Sequence, residues 1–371
     1  MTETFDFIII GGGIAGASAA WFLSPHGRTL ILEREEYPGY HTTGRSAAFF
    51  AETYGNAVVQ QLTRASRSFL LSPPDGFSET PLVHKRGAVY MATAEQVEFL
   101  EQSYRTKKAV SPEIKQLTAT EILEKAPCLR KGYAVAGYED PGCRDIDVHA
   151  LHQGYLRGMK KNGGKMLCNQ SVEDISRSAE GWQVELAEGR VEGRVLVNAA
   201  GAWGDELAAV AGVAPIGLDP RRRTVICVDA DGAELSPEMP LVLDAEDEFY
   251  FKPEGGGILL TPCDETPMPP CDVQPEELDI ARAIDRLEQA SEFRVTHVRR
   301  KWSGLRTFVP DRSPVVGFDP DIAGFFWCVG QGGFGIQTSP AIGRLVAELI
   351  VNGETGSVLP VAEISPQRFR N

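Results

Sequence analysis

No stretch of about 18 consecutive apolar residues occurs in this 371-residue chain, so no segment is expected to span a bilayer. Positive charge is also scarce: Lys and Arg number 37 against 51 Asp and Glu, a formal charge of −14. A phosphate backbone is bound by a basic surface, so nucleic acid is not an expected partner. The seven cysteines form no C-x-x-C pair, and their number is odd. That argues against a disulfide framework and a zinc site, and for reduced thiols in a cytoplasmic protein. His149 and His152 are spaced i, i+3 but have no third partner, so they read as structural and no metal is expected. Repeats and low-complexity tracts are missing. The acidic N-terminus runs directly into an apolar strand, unlike a signal peptide. At this length, two domains or one elaborated domain are expected.

What is present begins at Phe7-Ile8-Ile9-Ile10-Gly11-Gly12-Gly13-Ile14-Ala15-Gly16. The β-branched run reads as a buried parallel strand. Gly11 permits a tight turn, Gly13 lets the backbone approach a pyrophosphate, and Gly16 lets the following helix pack close. Small residues (Ala15, Ala17, Ala19, Ala20) suit that helix, whose N-terminal N–H groups and dipole would face phosphates. A second apolar strand ends at Glu33, at the distance where an acid accepts a hydrogen bond from a ribose hydroxyl.

Tyr37 to Ala48 reads as a loop running into a helix start, and 57–71 as a helix with Val58, Leu62, Ala65 and Phe69 on one face. Ala88 to Ala92 is strand-like, followed by helices near 94–105 and 118–125, the second with Thr118 and Glu121 in capping-box spacing. A helix is expected over 148–161, then strands to Leu167, at Trp182 to Leu186 and at Arg194 to Val197. From Arg221 to about Arg300 strands dominate, around one helix started by Pro275 and carrying Leu278, Ala281, Ile284 and Leu287. The arginine run 221–223 reads as a solvated strand edge or a domain-crossing anchor. The expected division is a nucleotide domain of 1–84, 143–220 and 301–371, and a sheet-rich domain of 85–142 and 221–300. Ligand sites prefer such interfaces.

Near the C-terminus an apolar strand (Phe325 to Val329) leads into Gly330-Gln331-Gly332-Gly333-Phe334-Gly335-Ile336-Gln337-Thr338, and a helix with Ile342, Leu345, Val346 and Leu349 follows. A nicotinamide enzyme needs only one glycine turn of this kind. A flavin held along its whole length can use two, the second helix start stabilising charge that develops on the reduced ring.

With these segments in view, the chain resembles the D-amino acid oxidase-type flavoprotein family, which includes glycine oxidase, sarcosine oxidase and bacterial D-amino acid dehydrogenases. The resemblance is carried by Gly11 to Gly16 with Glu33 and Arg34, by Thr43-Gly44-Arg45-Ser46-Ala47-Ala48, by Asn198 to Trp203, by Trp302-Ser303-Gly304-Leu305-Arg306, and by Gly332 to Thr338. Gly39 to Ala48, Ala150 to Gly158 and Val273 to Ala281 look most like bacterial D-arginine dehydrogenase. The resemblance implies an α/β fold: a Rossmann-like FAD-binding domain of the glutathione reductase type with an interleaved, mainly antiparallel substrate domain. It also implies non-covalent FAD and oxidation of the Cα–N bond of a free D-amino acid to an imino acid, which hydrolyses to a 2-keto acid and ammonia. Val172, Gly201 and Trp203 would join the cofactor contacts, with Gly333, Phe334, Gly335, Ile336, Gln337 and Thr338 at the ring.

In the same resemblance Arg306 clamps the substrate carboxylate, Arg223 assists, and Tyr54 and Tyr250 border the carboxylate and amine, near Gly304 and Gln337. Arginine's planar fork suits that task. Two positions depart from D-arginine dehydrogenases. Ala88 stands where they carry a glutamate for the guanidinium, and Phe49 stands where they carry a histidine. Neutral or aromatic D-amino acids are therefore expected over D-arginine, unless Glu52 points inward to hold a cation. Sarcosine-type oxidases of the family carry a lysine near the flavin that promotes reaction with O2. The resembling strand here, Gly257 to Thr261, has none, so the resemblance implies a dehydrogenase feeding a quinone, with O2 as the other candidate acceptor. Peripheral membrane contact stays open. The rival readings are oxidation of a secondary amine (glycine, sarcosine or proline-like) or of a 2-hydroxy acid, a flavin domain acting on tRNA or serving as a redox sensor, and a nicotinamide dehydrogenase.

Overall fold

The computed structural model describes residues 3–178 and 181–370. The expected domain ends at residues 1 and 371 lie outside the described residues. Two large sheets organise the chain. The first has eight strands, five of them parallel in the order Lys165–Leu167, Thr29–Leu32, Glu3–Ile10, Gly189–Asn198, Phe325–Val329. Its central strand pairs along Glu3–Ile10 with Ile10 opposite Asn198. Helices Ile14–Leu23, Val148–Lys161 and Gly335–Asn352 cover one face, burying Ala17, Ala20, Leu151, Tyr155, Ile342 and Leu345. The small residues of the first helix let the C-terminal helix approach: a Cβ on Gly343 would lie 2.9 Å from Ser18.

The second sheet has nine strands, antiparallel except where Leu241–Asp244 runs beside Ala88–Ala92. Its longest ladder joins Asp219–Asp231 to Arg294–Phe308, with Arg223 opposite Gly304 and Arg221 opposite Arg306. This last strand runs unbroken across the expected boundary at residues 300 and 301. Three short strands (Phe49–Phe50, Val83–Lys85, Arg144–Ile146) form a third sheet.

Three expectations change in the structure. Tyr37 to Ala48 does not start a helix: it stays in turns and enters the strand Phe49–Phe50. The chain is drawn instead into the pairing of Phe49 and Phe50 with Asp145 and Arg144, and Trp302 Nε1 ties the loop to the second sheet by donating to the Arg45 carbonyl at 2.9 Å. Helix Ala57–Leu71 has the expected bounds, but Val59, Leu62, Ser66 and Phe69 form its buried face and Ala65 is exposed. Helix Glu277–Ala290 starts two residues after Pro275, with Glu276 as N-cap, and buries Ile280, Ala283, Leu287 and Ala290, leaving Leu278 exposed. Arg222 explains that rotation. It is buried, and it ion-pairs with Asp264, Glu276 and Asp279, so Asp279 must turn inward. The arginine run is thus no solvated edge.

Candidate active site

The N-terminal glycine turn is held from several directions. Gly11 has φ +107°, and a Cβ there would lie 2.5 Å from the Ala199 carbonyl oxygen. A Cβ on Gly16 would fall 1.9 Å from the Gly11 oxygen, so strand and helix touch through backbone alone. Gly13, the helix N-cap, has no side chain to accept an N–H, and Thr43 Oγ1 accepts from Ile14 N instead at 3.0 Å. Glu33 accepts from Gly12 N at 2.7 Å and from Glu35 N at 2.9 Å, which leaves further lone pairs for a hydroxyl.

His152 is a residue the sequence reading assigned only to packing. Its Nε2 lies 2.8 Å from the Gly12 carbonyl, so the proton sits on that nitrogen and donates to the turn. Burial pushes its pKa below the usual 6.5, partly opposed by that carbonyl. Below about pH 6.5 the unfolded chain takes up a proton that the folded chain resists, so stability falls as pH drops through that value. We expect the wild-type Tm to decline between about pH 7 and pH 5.5, and His152→Gln, which keeps an N–H but cannot titrate, to show a shallower decline. Parallel slopes in thermal melts would remove this role.

A cavity opens beside the turn, lined by Ile10, Gly11, Gly13, Glu33, Arg34, Tyr40, His41, Val172, Gly201 and Trp203 among others. The Arg34 guanidinium lies 3.8 Å from the Trp203 ring centre, and the tilted His41 ring sits 4.7 Å from the same ring. A second chamber continues from it, the two sharing Gly13, Thr42, Thr43, Ala199 and Gly201. Together they form one trough between the first sheet's carboxyl ends and the second sheet. Gly201 has φ +57° and nothing within 4 Å of an added Cβ, so its backbone is open to the trough.

The inner chamber gathers residues from distant parts of the chain: Ala15, Ala47, Ala48, Phe49, Tyr54, Arg223, Tyr250, Gly304, Arg306, Gly333, Gly335, Ile336 and Gln337 line it. Arg223 and Arg306 project from one face of the long ladder, flanking Gly304. Arg306 Nη1 donates to Tyr54 OH at 3.3 Å, and its guanidinium lies against the Gly333 backbone, where a Cβ would fall 2.7 Å from Cζ. Burial opposes its charge, but guanidinium holds its proton strongly and donates to the Tyr54 hydroxyl, so it remains a cation. Burial likewise raises the Tyr250 phenol against the pull of Arg306, so that hydroxyl keeps its proton. Phe49 meets Tyr54 at 5.2 Å and Tyr250 at 6.0 Å, completing an aromatic wall.

Several expected contacts lie elsewhere. Glu52 ion-pairs with Arg67 at 3.0 Å and does not line the chamber, so it offers no partner for a cationic substrate. Ala88 is buried in the sheet behind the wall and does not line the chamber either. Gly16 and Gly44 serve close backbone contacts, Gly44 against the Gly39 carbonyl at 2.7 Å. Phe334 packs on Val59 and Phe308, and Thr338 Oγ1 donates to the Phe334 carbonyl. Arg45 and Ser46 reach the chamber, but their polar groups hold protein: Arg45 donates to the Val273 and Ser303 carbonyls at 3.1 Å, and Ser46 to the Thr42 carbonyl. Tyr40, His41 and Thr42 also line the trough, though no spacing in the sequence marks them individually.

Two buried donors lining the chamber lack any partner among the described residues: Arg223 Nη1 and Gln337 Nε2. Buried donors are rarely left so without a ligand to take them. A glycine turn at a helix start, an acid at the second strand's end, a stacked arginine and tryptophan, and an open backbone at Gly201 and Gly304 fit a dinucleotide flavin along the whole trough. The fold and this trough define a two-turn flavin-binding oxidoreductase. The family model for FAD dependent oxidoreductases, of the DAO type, matches residues 6–349, and the chain belongs to that family, with FAD as its cofactor. FAD-dependent oxidoreductase domain-containing protein 1 of Bos taurus is 28% identical over 407 residues, covering 95% of this chain and 82% of that one. Mitochondrial dimethylglycine dehydrogenase of Homo sapiens is 24% identical over 390 residues, and the match covers 98% of this chain but 44% of that protein. Glycine oxidase from Geobacillus kaustophilus superposes with a TM-score of 0.86 at 23% identity over 99% of both chains. L-proline dehydrogenase from P. horikoshii superposes with a TM-score of 0.84 at 21% identity, covering 100% of this chain and 98% of that one. These superpositions establish the shared fold.

Proposed function

We propose that this protein oxidises the Cα–N bond of a small amino acid whose carboxylate binds Arg306, and that it takes secondary or N-alkylated amines and glycine-like substrates ahead of D-amino acids. One observation carries the reading. Arg306 ion-pairs with no carboxylate and faces Phe49, Tyr54 and Tyr250 in a chamber that no acidic residue lines, among the described residues. A carboxylate entering there supplies the missing counter-charge in bidentate geometry. The aromatic wall of Phe49, Tyr54 and Tyr250 offers carbon contact for an N-alkyl group and leaves little room for a larger Cα side chain beside the carboxylate anchor. The relatives' names point the same way: dimethylglycine, glycine and L-proline are small amines, two of them N-substituted.

Bound FAD supplies the two-electron oxidising power. The protein's own part is orientation, exclusion of water and control of the amine's proton. No carboxylate or imidazole base lines the chamber among the described residues. With the substrate carboxylate on Arg306 and Glu265 on Arg223, the two cations are balanced, and the apolar wall of the chamber favours the neutral amine by penalising a second buried charge. The Tyr250 hydroxyl, still protonated, can donate to the carboxylate beside Arg306. Among the described residues no lysine lines the chamber, which supports a quinone-type acceptor over O2.

The test is anaerobic flavin bleaching with sarcosine, dimethylglycine, proline, glycine, D-alanine, D-phenylalanine and D-arginine, followed as a reductive rate. We expect the N-substituted acids and glycine to lead and D-arginine to trail. A neutral D-amino acid in first place would return the reading to a D-amino acid dehydrogenase, and D-arginine in first place would overturn both.

A further inference from the structure

We propose that Asp140, which lies outside the chamber, is a positioning residue for the loop Ala51–Gly55 and through it sets Tyr54 against Arg306. This rests on the reading of Arg306 as the carboxylate anchor. Asp140 ends the strand Ala136–Asp140, is 2% exposed, and pairs in register with Ala88 on the neighbouring strand. One oxygen accepts from Thr53 Oγ1 at 2.8 Å and the other from Gly142 N at 2.9 Å. Thr53 is as buried as Asp140, and the next residue is Tyr54, whose hydroxyl accepts from Arg306.

The same loop is tied a second time: Ala51 N donates to Gln337 Oε1 at 3.0 Å, from the start of the C-terminal helix. Gly55, at φ +83°, then turns the chain sharply into helix Ala57–Leu71, with Asn56 capping. A five-residue loop is therefore pinned to the flavin-side helix at one end and to the second sheet near the other. The geometry of Tyr54 is set by both ties, and Asp140 is the charged one. A hydroxyl given to a buried carboxylate is a stronger tie than one given to a neutral acceptor. Lys107 is the nearby cation. Its ammonium sits 3.6 Å from the Tyr90 ring centre, and burial lowers its pKa to about 8 despite the pull of Asp140. Among the described residues no ion pair joins it to Asp140, whose oxygens are instead committed one to the loop, through Thr53, and one to its own turn, through Gly142.

The experiment titrates FAD-loaded protein with benzoate, a simple monocarboxylate, and reads the flavin spectrum, so that no turnover is required. Thr53→Val should weaken benzoate by up to about fivefold, the most that losing the Tyr54 hydroxyl contact would cost, and raise KM for the best amine more than it changes kcat. Thr53→Ser, which keeps the donor, should stay within about twofold of wild type. Asp140→Asn, which is uncharged and has one acceptor oxygen for the two donors Thr53 and Gly142, should weaken benzoate nearly as much as Thr53→Val. In a Tyr54→Phe background Thr53→Val should add almost nothing, because its effect passes through the lost hydroxyl. Wild-type benzoate affinity in Thr53→Val with a lowered Tm would overturn the proposal and leave Thr53 and Asp140 as packing. So would an undiminished Thr53→Val effect in the Tyr54→Phe background. Wild-type protein that turns over amines but does not bind benzoate would instead sink the carboxylate reading of Arg306, and the positioning role with it.

Discussion

Arg306→Leu should lower kcat/KM for a carboxylate-bearing amine by on the order of 10²- to 10³-fold while the protein stays yellow. Truncating one partner of a buried charge pair costs about 2–5 kcal/mol, and each 1.4 kcal/mol is tenfold. The loss should be this large because no other guanidinium in the chamber is equally free. Arg223 also lines it, but its Nε donates to the Asp264 carbonyl and its Nη2 to Glu265, which Arg312 also holds. Only Nη1 of Arg223 is left to assist. Arg306→Lys should recover a small part, since a point charge cannot form the planar fork. Tyr54→Phe removes one neutral hydroxyl contact and should cost only about 1 kcal/mol, or roughly fivefold. Steady-state kinetics of the three variants check the order. An Arg306→Leu enzyme with wild-type kcat/KM would place the carboxylate elsewhere.

Gly16→Ala should yield colourless or insoluble protein, whereas Gly13→Ala should fold normally and lose FAD. The difference lies in what an added methyl meets. At Gly16 it meets the Gly11 carbonyl oxygen at 1.9 Å, a backbone atom between a buried strand and a buried helix that has no room to yield. At Gly13 it meets only the Thr43 hydroxyl at 3.2 Å, and it faces the trough. The turn needs one glycine for folding and another for its ligand. The ratio of flavin to protein absorbance, with thermal melts of the apoprotein, separates the two effects. A yellow Gly16→Ala protein with wild-type Tm would contradict the packing argument.

Much of this molecule is written in local chemistry. Helices over 57–71 and 148–161 and the Thr118–Glu121 capping box follow from spacings of three and four residues, and each is present with those bounds. Both glycine turns follow strands and open helices as their sequences require. Positions whose meaning depends on remote partners were harder to read. Leu278 looked like core from its spacing, but Arg222, more than fifty residues away, draws Asp279 inward and rotates the helix. Glu52 looked available to a substrate until Arg67, on the following helix, was seen to take it. His152 carried no motif that distinguishes a hydrogen bond to Gly12 from simple burial.

The sequence by itself determined two strand-to-helix glycine turns and membership of an FAD-dependent family, because turns, caps and strand ends are short-range chemistry. Only the tertiary structure decided which arginine is unpaired, which acids are already spent, and that Asp140 holds the loop carrying Tyr54. Those outcomes depend on side chains brought together across tens to hundreds of positions, and charge pairing in a buried site is settled by distance in space rather than by order along the chain.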